Sequence, residues 1–141
     1  MNKDQVDAVQ WMRRGATAMA VSRMGLGVVA LARPALVARP WAGPSGDSQA
    51  GRVLGRATGA RDLALGLGAL GALRRPSGPE ADQTAAAWVG LAGLCDGADL
   101  LITAGSWRRL PAGGRWLVAL AAGGSAVLGL AAAATIKAPA R

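Results

Sequence analysis

Five ionisable residues stand near the middle of apolar stretches of this chain: Arg23, Arg61, Asp62, Asp96 and Asp99. Asp96-x-x-Asp99 puts two carboxylates on one helix face, the spacing used to chelate Mg²⁺ bound to a diphosphate. Carboxylates and arginines at one depth in a bilayer can also form a proton or ion path. A third use is mutual neutralisation, each guanidinium holding a carboxylate of another helix. The DxxD spacing is common by chance, and the further Asp and Arg that phosphotransferases of lipid alcohols carry after it are missing. Neutralisation inside a protein of structural or interaction type is therefore the first reading. A proton- or ion-coupled transport component is the second, and a membrane enzyme acting on an isoprenoid or lipid phosphate the third.

The elements that would position these residues are four apolar runs: Ala16–Ala32, Val53–Leu73, Ala85–Gly105 and Trp116–Ile136. Each approaches or exceeds the roughly 17–25 residues that span a bilayer. The first three runs centre near their charges, so the five residues fall within about one turn of a common plane. At 100° per residue, Gly55, Gly59, Asp62, Gly66 and Ala69 share a face of the second run. Trp88, Ala92, Asp96, Asp99 and Thr103 share a face of the third, with Gly93 and Gly97 beside it as a GxxxG pair. In the first run Ala16, Met19, Arg23, Gly27 and Ala30 align. Such faces of small residues are how helices pack in lipid, where hydrophobicity no longer drives association.

Magnitudes make the charges more than incidental. A central Arg or Asp costs about 2.5–3.5 kcal/mol to insert, whereas a Leu returns only about 0.3–0.6. The second run sets three charges, Arg56, Arg61 and Asp62, against six leucines. Alone it inserts poorly, so Arg23 and Arg61 are expected to neutralise Asp62, Asp96 and Asp99. Arg56, nearer the helix end, is expected to snorkel.

The expected fold is all-α: four transmembrane helices in an antiparallel membrane bundle, one domain over residues 1–141. The chain is 52% hydrophobic but only 4% aromatic, with 21 glycines. Trp11, Trp88, Trp107 and Trp116 fall at or near the ends of the runs, as in an aromatic belt, and Trp41 lies in a loop. Residues 1–10 read as a short polar lead-in, amphipathic or disordered, residues 34–49 as a Pro/Gly-rich loop, and residues 137–141 as a short tail. Arg23 in the middle of the first run argues against a cleaved signal peptide.

The net charge of +8 comes from basic residues placed singly or in pairs at the ends of apolar runs. That placement fits anionic lipid headgroups rather than a nucleic-acid phosphate track. One cysteine and no histidine exclude a disulfide framework and speak against a zinc site. Cys95 lacks a histidine partner and reads as a packed residue rather than a nucleophile. No metal and no cofactor are expected. The fourth run is expected to pack as a lid on the other three or, equally, to offer a homo-oligomer face, so the expected partners are the lipid bilayer and a second copy of the chain.

Arg23-x3-Gly27, the segment Gly55–Gly68 with its Gly59-x-Arg61-Asp62-Leu63-x-Leu65-Gly66-x-Gly68 core, and Trp88-x7-Asp96-x2-Asp99 resemble a group of small actinobacterial multi-pass membrane proteins. The resemblance covers about residues 16–105 and is most specific in the second run. It implies a four-helix fold in a cell inner membrane and supplies no reaction.

Overall fold

The structure, a computed structural model, describes residues 3–137 and all their side chains except those of Asp4 and Gln5. These residues form five α-helices and a 3₁₀ turn: α1 Lys3–Ala32, α2 Pro34–Ala42, the turn Gly43–Asp47, α3 Gln49–Leu73, α4 Pro79–Gly105 and α5 Ala112–Lys137. The protein is all-α. Of the expected lead-in, residues 3–10 are helical and continuous with α1, and residues 1–2 and 138–141 lie outside the described residues.

Residues 34–49 differ from the expected loop. Pro34 occupies the first turn of α2, where its missing N–H would have had no helical partner. Pro40 falls only in the last turn, and Gly43, at φ 66°, ends the helix in a conformation that a side chain would strain. Ser48 then caps α3, its hydroxyl accepting from the Gly51 N–H at 3.0 Å. α4 opens with Pro79 and carries Glu80 and Asp82 in its first turn, where the helix dipole favours negative charge.

Three helices, α1 over Val6–Ala32, α4 and α5, are long and apolar enough to cross a membrane, which marks the chain as a membrane protein. α3 is not among them. Arg52, Arg56, Arg61 and Asp62 dilute its apolar character, so the second of the four expected spans is helical without being apolar throughout.

Burial is distributed as lipid-facing packing requires. The buried apolar residues are mostly alanines, such as Ala16, Ala20, Ala69, Ala85 and Ala126, while Leu26, Leu54, Leu94, Leu101 and Leu120 point outward. In water such a spread of large exposed apolar side chains would drive aggregation. Against lipid it costs nothing, and the small residues inside let the backbones approach.

The four long helices close into a ring in which α1 packs on α3, α3 on α4, α4 on α5 and α5 back on α1. Neighbours run antiparallel. Gly27 abuts Gly59 and Leu63 while Gly66 abuts Ala20 and Met24, and Gly93 meets Leu130 where Gly90 meets Ala133. α5 thus lies along α4 and α1 rather than lidding the other three helices. α2 sits at the end where α1 stops and α3 and α5 begin, with Gly114 pressed on the backbone of Pro40 and Trp41.

Candidate functional site

The ring brings the five charged residues together as one continuous chain: Asp96, Arg23, Asp62, Arg61, Asp99. From α1, Arg23 donates Nη1 to Asp62 Oδ1 at 2.9 Å and Nη2 to Asp96 Oδ2. From α3, Arg61 grips Asp99 with two bonds, Nη1 to Oδ1 at 3.1 Å and Nη2 to Oδ2 at 2.7 Å. The same guanidinium reaches back to its neighbour Asp62, with Nη2 3.2 Å and Nε 3.3 Å from Oδ1. Asp62 is the shared link, since one of its oxygens accepts from both arginines. Bidentate and charge-assisted bonds of this kind are the stronger ones, and they fix geometry as well as energy.

The chain has a closed end and an open end. Side-chain exposure is 10% for both Arg23 and Asp96 and 17% for Asp62. It rises to 32% for Arg61 and 20% for Asp99. Thr103, one turn beyond Asp99, is fully buried and donates its hydroxyl to the Asp99 carbonyl at 2.7 Å. Beside Arg23 lies a cavity of about 20 Å³ lined by small residues including Ala20, Gly66, Ala92 and Gly129. That is room for about one water and for no metabolite.

Asp96 and Asp99 therefore use their three-residue spacing to reach two arginines on two different helices. A divalent cation held between them would have to displace both guanidinium groups. Three carboxylates against two arginines leave the chain with a formal charge of −1.

Glycines position it. On α3, Gly55 abuts Pro34, Gly59 abuts Ala30 and Gly66 abuts Met24, so the small face that carries Asp62 lies against α1 and the first residue of α2. A Cβ at Gly59 would fall 2.7 Å from the Ala30 Cβ and 2.9 Å from the Gly27 carbonyl oxygen. On α4 the paired glycines separate. Gly93 packs on Leu130 and Gly129 of α5, but Gly97 faces open space.

Other placements were not legible in the sequence. Gly68 receives the face of the Trp88 ring, which makes Trp88 part of the α3–α4 seam as well as a residue near the start of an apolar run. Arg56 donates Nε to the Leu31 carbonyl at 3.3 Å, supplying a partner at the C-terminus of α1. Arg13 does the same for α3, with Nη2 to the Leu73 carbonyl at 3.0 Å and Nη1 to Asp82 at 2.7 Å. An arginine about two to three turns from a helix start is the available sequence signal for such a role, but it does not say which helix end is reached.

No family model, no curated protein and no solved structure matches this chain. The fold is all-α, three long apolar helices mark a membrane protein, and the ion-pair chain is its candidate site.

Proposed function

We propose that this chain is a small multi-pass protein of the inner membrane, of structural or interaction type, whose ion-pair chain staples the helices in register. In this reading α3 crosses the bilayer as the fourth span of an antiparallel bundle. It enters because Arg23 and Asp99 neutralise the charges it could not carry alone. The observation behind the reading is that every member of the cluster has an opposite charge within hydrogen-bond distance on another helix. The cavity beside them has no room for a substrate.

The test is unfolding in mild detergent of wild type beside Asp62→Asn, Asp96→Asn and Asp99→Asn. Breaking a buried pair costs about 3–5 kcal/mol, so all three variants should lose stability, Asp99→Asn least because its site is wettest. One observation favours a second reading, proton- or ion-coupled transport: the unbalanced carboxylate lies in a chain that is partly exposed at its Arg61–Asp99 end. Retained or increased stability in Asp96→Asn or Asp99→Asn would move the conclusion there, since a carboxylate kept at a cost is kept for function.

A further inference from the structure

The two ends of the ring differ in a way that basic residues alone do not show. The end that holds α2 carries Arg33, Arg39, Arg52, Arg56, Arg108, Arg109 and Arg115, with Asp47 as its one carboxylate. Asp47 is already held by Arg52 at 2.9 Å, with Arg39 at 3.9 Å. The opposite end mixes its basic residues with Asp7, Glu80 and Asp82, and there Arg13 is paired to Asp82. After Asp99 the sequence contains no acidic residue at all.

The turn between α4 and α5 concentrates this imbalance. Arg108 and Arg109 are exposed and make no salt bridge among the described residues. Arg115 stands with its guanidinium carbon 5.1 Å from the centre of the Trp107 ring and donates Nη1 to the Trp107 carbonyl at 3.0 Å. Trp107 meets Trp116 edge to face at 4.9 Å, so the turn is braced rather than loose. Two buried side-chain N–H groups lack an acceptor among the described residues, Trp41 Nε1 and Arg115 Nε, and both belong to this end. Directly along the helices from the turn, Leu101, Ile102, Leu117 and Leu120 are exposed.

We infer that the α4–α5 turn binds the headgroup of an anionic phospholipid, with Arg108 and Arg109 on the phosphate and the acyl chains against the outward leucines of α4 and α5. The region is rich in donors and poor in acceptors, and a phosphodiester supplies acceptors only. The apolar flank one turn below is where the chains of a bilayer lipid must lie. The inference rests on the membrane reading above, and it selects one end and one turn within it.

The experiment uses the full chain purified in mild detergent. Thermal stability is measured with added phosphatidylglycerol, phosphatidylcholine or inorganic phosphate, for wild type, Arg108→Gln/Arg109→Gln and Arg74→Gln/Arg75→Gln. Phosphatidylglycerol should raise the midpoint of wild type, and neither phosphatidylcholine nor inorganic phosphate should do so. Each arginine near an anionic surface is worth about 1 kcal/mol, so the Arg108/Arg109 variant should bind about 30-fold more weakly. The Arg74/Arg75 variant, with acidic neighbours at its own turn, should keep the response. An equal response to phosphatidylcholine overturns the inference, as does an equal loss in both variants; a response to inorganic phosphate alone overturns the lipid and leaves a phosphate site. Alkaline carbonate extraction of native membranes separates the two levels of failure. Release of wild type by carbonate sinks the membrane reading itself, whereas retention with no lipid selectivity sinks only the headgroup site.

Discussion

Arg23→Gln is the sharpest perturbation of the ion-pair chain, because Arg23 is the one group that joins Asp96 to the rest. Asp62 would keep Arg61 at 3.2 Å, but Asp96 would keep no cation, and its side chain is only 10% exposed. The cost is that of one stranded buried charge, about 3–5 kcal/mol. Arg61→Gln makes a useful contrast. It strands Asp99, which is 20% exposed and can borrow water, so its cost should be that of lost charged hydrogen bonds, about 1.5–3 kcal/mol. The double variant Arg23→Gln/Asp96→Asn removes the stranded charge along with the arginine. It should be more stable than Arg23→Gln alone by about 0.5–3 kcal/mol, the range found for residues in contact. Equilibrium unfolding in mixed detergent micelles reads all four proteins, with tryptophan fluorescence as the signal. The reasoning fails if Arg23→Gln costs less than Arg61→Gln, or if adding Asp96→Asn only deepens the loss.

Four further outcomes follow from the packing and its hydrogen bonds. Gly59→Ala should destabilise by about 1–3 kcal/mol, because its Cβ meets backbone and Ala30 and neither can move aside. Gly97→Ala, facing open space, should be neutral or gain up to about 1 kcal/mol from helix propensity in the same unfolding assay. Gly68→Ala should displace the Trp88 ring, and a shifted Trp88 emission in a variant retaining only that tryptophan is the readout. Arg56→Gln should speed amide exchange in the last turn of α1 and cost about 0.5–1.5 kcal/mol, through loss of the bond to the Leu31 carbonyl.

The long helices and their polar centres are legible in the order of residues alone. Long runs of Ala, Leu and Val become helical in a bilayer because each backbone N–H and C=O must find its partner within the run. The cost of inserting Arg61 and Asp62 into such a run follows from composition alone. Helical periodicity also put Asp62 among Gly55, Gly59 and Gly66, and Asp96 with Asp99 and Thr103, because a face depends only on 100° per residue. The tertiary structure decided everything that depends on which face meets which neighbour. Periodicity is blind to rotation of one helix about another, so it left open that Arg23 takes Asp96 and Asp62 while Arg61 takes Asp99. The same blindness made Gly93 and Gly97 look equivalent, although only Gly93 meets α5. The segment 34–49 escaped for a different reason. In α2 Pro34 stands in the first turn, where no N–H is needed, and Pro40 removes one helical bond only in the last turn, just before Gly43 ends the helix.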